Sequence, residues 1–231
     1  MSTSGFTVHR LNSMKFVNFF LLVNDRELTL IDSGSKDEVE NIRRKFDEAG
    51  HSLDLLKRII PTHCHPDHIG SLAVLRQATG AQVLAHEAEA PFITQEALLP
   101  RARGAARLLH ALTEPLFRPK PCPVDQTLKH GDVIEGAGLT VIHMPGHSPG
   151  SICLYHPEAR ALFTGDALIN MFGKLRGPFP PFCWETQRAR RSLSRLKELE
   201  VETIYFSHGE TIREGANEKI RSLVEFMNKE G

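Results

Sequence analysis

The chain has 231 residues, 41% of them hydrophobic, and its 28 basic and 28 acidic side chains cancel to no formal net charge. That length supports a sizeable core in one domain, and a sequence pI of about 7.2 leaves no basic field to gather phosphates, so no nucleic-acid partner is expected. The apolar stretch Phe16 to Val23 is too short for a bilayer span, and Met1 to Arg10 has no basic region leading into an apolar one, so a cytoplasmic protein without membrane association is expected.

Strand-like and helix-like segments alternate along the chain. Val17 to Val23 and Glu27 to Asp32 read as a hairpin around Asn24-Asp25, and Val39, Ile42, Phe46 and Ala49 then recur at helical spacing until Gly50. Arg58 to Pro61 predicts a buried strand, Ala73 to Thr79 a helix stopped by Gly80, and Gln82 to Ala85 another strand. Leu139 to His143, Ala161 to Phe163 and Thr203 to Phe206 are strand-like runs. Ala189, Leu193, Leu196 and Leu199 mark a late helix, and Ala216, Ile220, Leu223, Val224 and Met227 mark the last one. The pattern predicts one domain over 1–231, with two segments outside the alternation. One is an insert at 87–121, carrying a helix-like run from Arg101 to Thr113. The other is an apolar, lid-like loop at 168–183 with little regular structure.

The chemistry concentrates in Thr62-His63-Cys64-His65-Pro66-Asp67-His68, which crowds too many coordinating groups together for an ordinary core or loop. In an extended segment His63 and His65 project to one side and Cys64 to the other. A helix starting at Pro66 puts Asp67 and His68 in its first turn, splayed enough to serve two different ions. Asp166 follows a strand-like run, where a carboxylate can give one oxygen to each of two cations. His147 and His208 likewise sit in Gly- or Pro-rich turns directly after strand-like runs. Strand ends on a rigid scaffold converge, which points to a two-metal centre. By contrast His9, His51, His110, His130, His143 and His156 lack ligand spacing, and His86 reads as a turn cap or a support to ligands. Cys64, Cys122, Cys153 and Cys183 form no Cys-x-x-Cys pair and read as reduced packing residues. Arg188, Arg190, Arg191, Arg195 and Lys197 read as a solvated helix face.

The motifs T-H-x-H-x-D-H, P-G-H-S-P-G, F-T-G-D and S-H-G, in this order over most of the chain, resemble the metallo-β-lactamase superfamily of metal-dependent hydrolases. Leu30-Ile31-Asp32-Ser33-Gly34 and the turn at Gly131-Asp132 are similar too. The resemblance implies an α/β fold, a four-layer αβ/βα sandwich of two mixed sheets with helices outside and the metals at one edge between the sheets. It implies that His63, His65 and His147 hold one metal, that Asp67, His68 and His208 hold the second, and that Asp166 bridges them. Asp32, which could simply cap a turn, would orient ligand histidines. Within the family, lactam-hydrolysing members lack the bridging Asp, flavodiiron members carry Glu where His65 stands, and glyoxalase II adds a helical domain where this chain ends about one helix after His208. Homoserine-lactone lactonases resemble this chain in all seven ligands but place a Tyr after the bridging Asp, where Phe172, Phe179, Phe182 and Trp184 stand here.

Imidazole and carboxylate ligands suit two divalent ions, zinc first, with iron, manganese or cobalt acceptable to the same atoms. Such a pair lowers the pKa of a shared water from about 15.7 towards 7. The expected reaction is attack of a bridging hydroxide on the carbonyl of an ester, lactone or thioester with an apolar portion, Asp67 taking the proton. Met171, Phe172, Phe179, Phe182 and Trp184 either line the mouth of the site against that small-molecule substrate or belong to the core. The alternatives are phosphodiester cleavage and a non-catalytic, structural metal site.

Overall fold

The computed structural model describes residues 5–13, 16–25, 27–98 and 118–229. The helix-like run from Arg101 to Thr113, with His110, lies outside the described residues.

Three antiparallel strands, β1 (Thr7–Ser13), β2 (Val17–Asn24) and β3 (Glu27–Ile31), begin a six-stranded sheet. Helix α1 (Val39–Glu48) leads over to β4 (Leu56–Ile60), and α2 (Pro66–Ile69) with α3 (Leu72–Thr79) leads to β5 (Gln82–His86). After α4 (Ala90–Ile93) comes β6 (Gln126–Leu128). Strands β3 to β6 run parallel in the order of the chain, so the sheet is mixed. The second sheet holds β7 (Val133–Ile134), β8 (Leu139–His143), β9 (Ile152–His156) and β10 (Ala161–Phe163) as antiparallel neighbours, with β13 parallel to β10. Between β10 and β13 lie a separate hairpin, β11 (Ile169–Met171) and β12 (Lys174–Arg176), and helix α5 (Thr186–Ser192). Strand β13 spans Thr203–Tyr205, and α6 (Ala216–Lys229) follows.

The layering follows from the period-two geometry of strands. In β2 the run Phe19-Phe20-Leu21-Leu22 is buried throughout, because Phe19 and Leu21 meet the helices while Phe20 and Leu22 meet the other sheet. Leu139, Val141, Ile152 and Leu154 answer from the second sheet, and Ile142, Cys153 and Tyr155 turn outward to Leu193, Leu196, Ile220 and Val224. Three apolar layers thus separate four layers of structure, the αβ/βα sandwich that the resemblance implies. The middle layer centres on Phe20, Phe163 and Tyr205, with ring centroids 4.8–5.5 Å apart. Helix α3 buries Leu72 and Leu75 and stops at Gly80, whose φ of +70° lets its N–H reach Arg76 O.

Strands β1, β6, β7 and β9 lie outside the runs read from the sequence, and the late helix passes into a 3₁₀ turn at Leu193–Leu196. Two further elements differ from the sequence reading. Strand β4 starts two residues early, straight from a 3₁₀ turn at Leu53–Leu55 capped by Ser52. The loop at 168–183 is more regular than expected, since β11 and β12 pair across a turn at Phe172-Gly173. Both turn residues have positive φ, +52° and +74°. Asn or Gly normally marks such a turn, and a Phe in the first position hides it. Among the described residues no helix is long and apolar enough to cross a membrane.

Candidate metal centre

All seven predicted ligands converge at the ends of β4, β8, β10 and β13. Strand β3 runs out into Asp32, a buried residue with φ of +62° whose carboxylate collects the neighbouring segments. It accepts hydrogen bonds from Thr62 N–H at 2.7 Å, Thr62 Oγ1 at 3.0 Å and Ser207 Oγ at 3.3 Å. His68 Nδ1 lies 2.9 Å from Asp32 Oδ2, which fixes the ring and turns Nε2 inward. Asp32 is therefore an organiser of three ligand-bearing segments rather than a turn cap. Asp166 follows Gly165, whose φ is +49°; a Cβ there would lie 2.7 Å from Thr62 Oγ1, so only glycine lets the two strand ends approach.

The donor atoms form two groups that share Asp166. His147 Nε2 lies 3.2 Å from His63 Nε2, 3.0 Å from His65 Nδ1 and 3.4 Å from Asp166 Oδ2. On the other side His68 Nε2 lies 3.5 Å from Asp67 Oδ2 and 3.4 Å from Asp166 Oδ1, and His208 Nε2 lies 3.4 Å and 3.3 Å from the same two oxygens. Tetrahedral ligands about 2.0–2.1 Å from an ion stand about 3.3–3.4 Å from each other. The spacings fit that figure. His68 Nε2 and Asp166 Oδ1 are also buried without a hydrogen-bond partner, as coordinating atoms would be.

The electrostatics divide the two groups. Burial, reinforced by neighbouring imidazoles, holds His63 well below its ordinary value and His65 down at about 3. Burial pushes Asp67 and Asp166 upward, but His68 and the other imidazoles outweigh it; Asp67 comes down to about 2 and Asp166 lies well below the usual carboxylate range. Burial alone would lower His68, yet Asp67, Asp32 and Asp166 raise it well above 6.5. Cations bind neutral imidazoles and ionised carboxylates. His63, His65, His147, Asp67 and Asp166 therefore already hold the binding form, whereas His68, and His208, where burial is outweighed by Asp67 and Asp166, would give up a proton to a cation.

Cys64 is buried and its pKa is pushed up by burial and by Glu89, which accepts its main-chain N–H at 2.8 Å. Sequence reasoning missed Glu89, because nothing distinguishes it from Glu87 two residues earlier. His86 stays outside the cluster, stacked on His143 with centroids 3.8 Å apart, its Nδ1 accepting from Ala88 N–H.

The aromatic segment is tied to the ligand loops at both ends. Asn170 N–H donates to His208 O at 3.0 Å, Trp184 N–H to His147 O at 3.0 Å and Glu185 N–H to Gly146 O at 2.8 Å. Between these ties Phe172 is 96% exposed, Phe182 48% and Phe179 46%, with Met171 and Trp184 also exposed, which removes the core reading for the five. Phe179 and Phe182 pair at 5.6 Å, and the Arg188 guanidinium lies over Trp184.

A family model described as the metallo-beta-lactamase superfamily matches residues 14–208. A relative from Bacillus subtilis (strain 168) named "Probable metallo-hydrolase YflN" is 30% identical over 200 residues, covering 78% of this chain and 74% of the relative. A hydroxyacylglutathione hydrolase from Hyphomonas neptunium is 29% identical over 178 residues, 75% of this chain but only 55% of that enzyme. The crystal structure of TTHA1623 in a di-iron-bound form superposes with a TM-score of 0.68 at 28% identity, covering 93% of this chain and 98% of that one.

Proposed function

From the premise that the chain belongs to the metallo-beta-lactamase superfamily and is a metal-dependent hydrolase, we propose that it binds two divalent cations and cleaves a thioester, ester or lactone with an apolar portion. His63, His65 and His147 would hold one ion, Asp67, His68 and His208 the other, and Asp166 would bridge. The single observation behind this reading is the division of labour within Asp166, whose Oδ2 faces His147 while Oδ1 faces His68 and His208. A bound pair of this kind acidifies a water into a nucleophile at neutral pH and polarises a carbonyl. Asp67, about one-third exposed and held ionised, stands at the open side of the cluster and would take the proton of the attacking water. Asp32 keeps the His68 ring fixed throughout. The exposed Met171, Phe172, Phe179, Phe182 and Trp184 would receive the apolar part of the substrate.

Nitrogen and oxygen ligands favour zinc, with iron next, the metal of the di-iron-bound neighbour. Among the substrate classes, thioesters come first, on the similarity to a hydroxyacylglutathione hydrolase. Four free, buried cysteines suit the reducing cytoplasm expected from the sequence. Metal analysis of the purified protein, followed by a screen of acyl thioesters, aryl esters and lactones, tests the proposal. Two equivalents of metal with turnover above that of His63→Ala are expected. One equivalent and no turnover on any class would return the site to a structural role.

A further inference from the structure

The turn between β5 and α4 carries a carboxylate that neither the ligand set nor the proposed reaction uses. Glu89 is 1% exposed. One of its oxygens accepts the main-chain N–H of Cys64 at 2.8 Å, and the other accepts that of Gly150 at 2.6 Å. Burial raises the Glu89 carboxyl, and the neighbouring Cys64 and Ser148 side chains work against that rise. Cys64 is the residue between His63 and His65, and Gly150 closes the turn that bears His147. One side chain therefore grips both segments whose ring nitrogens meet at 3.0–3.2 Å. The backbones close in at the same place, since a Cβ on Gly150 would lie 2.5 Å from Glu89 N. Asp32 holds the other half through His68 and Ser207 and also reaches this one through Thr62, whose Oγ1 lies 3.1 Å from His63 Nδ1.

We propose that Glu89 is a positioning residue that sets the spacing of His63, His65 and His147 and so the affinity of that half of the centre for its divalent ion. The inference rests on reading the cluster as a two-metal centre. A carboxylate presents acceptors only, which suits two converging N–H groups. A carboxamide of the same shape turns one acceptor into a donor and sets N–H against N–H, releasing one of the two loops. Partners of this kind, which orient ligands without coordinating, typically carry about 10–100-fold in metal affinity.

The test uses the full chain loaded with zinc and titrated with a chromophoric chelator, so that two dissociation constants are resolved for wild type, Glu89→Gln and Asp32→Asn. Glu89→Gln is expected to weaken one constant about 10–100-fold and leave the other within about twofold. Asp32→Asn is expected to weaken the opposite constant most, with a smaller loss in this one through Thr62 and His63, and cobalt loading should show different spectral bands lost in the two variants. If Glu89→Gln is insoluble, Glu89→Asp, which keeps the charge but loses the reach, is held to the same criterion. Two constants that are unchanged, or that fall together as in general loosening of the fold, overturn the role of Glu89. A wild-type protein that binds fewer than two ions overturns instead the reading on which it rests.

Discussion

The ligand cradle and the aromatic segment that arches between His208 and His147 are held in place by opposite means. In the cradle, side chains hold side chains and loops: Asp32 and Glu89, each 1% exposed, collect donors from five residues, Thr62, Cys64, His68, Gly150 and Ser207. In the arch, main-chain groups of Asn170, Trp184 and Glu185 make the anchoring bonds while the aromatic side chains face outward. Residue identity therefore matters at nearly every cradle position, because a buried group without its partner is costly. Along the arch the outward Met171, Phe172, Phe179 and Phe182 are apolar and exposed, so changing them strands no buried polar group, while Leu168, Ile169 and Leu175 pack inward.

The comparison can be broken first at its centre. Asp166→Asn should lower occupancy of both ions and cut kcat/KM by more than about 100-fold, because a neutral amide cannot serve two cations equally; full dinuclear occupancy after dialysis would contradict the bridge. Next comes Asp32→Ala, which strands Thr62 N–H, His68 Nδ1 and Ser207 Oγ in a dry site. It should cost about 3 kcal/mol or more in urea unfolding of the metal-free protein, at one to a few kcal/mol per orphaned group. A loss below about 1 kcal/mol would show that Asp32 serves the metals alone.

A pH experiment addresses the turn behind the cradle. Burial, then His143, brings His86 down to about 4, and burial also lowers His143. The unfolded chain takes up these protons near 6.5 while the folded one resists, so stability is intact above that value and is lost as pH falls from 6.5 towards 4. The drop in Tm of metal-free protein between pH 7 and pH 5 should be smaller in His86→Gln than in wild type; equal drops would remove His86 as a contributor. The smallest effect on the fold belongs to the arch. Phe182→Ala should leave metal content unchanged and cost less than about 1 kcal/mol, yet lower kcat/KM more for long acyl chains than for acetyl. A large fall in Tm with unchanged chain-length preference would move Phe182 into the scaffold.

The same division explains what could be read from the sequence. The seven clustered donors were legible because their residue types are the ones that bind metals and each group follows a strand-like run. The layering was legible through the family resemblance, and the structure bears it out in β2, whose unbroken apolar run is buried on both faces. Asp32 was legible through a family resemblance, since a single acid at a strand end carries no local sign of what it holds. Glu89 was not legible at all, because its partners are main-chain N–H groups 25 and 61 residues away. The β11–β12 hairpin escaped because Phe172 occupies a left-handed position where the usual signal is Asn or Gly.

Main-chain fastening at both ends frees the outward side chains of the arch to be replaced. Exchanging Met171, Phe172, Phe179 and Phe182, with Asn170 kept for its bond to Glu210 O, Leu175 for its packing against the outer core and the buried Cys183 beside His147 Nδ1, would change the surface at the site without editing any donor atom. Substrate choice in this scaffold could thus drift, or be engineered, at those exposed positions while the hydrolytic centre is inherited intact.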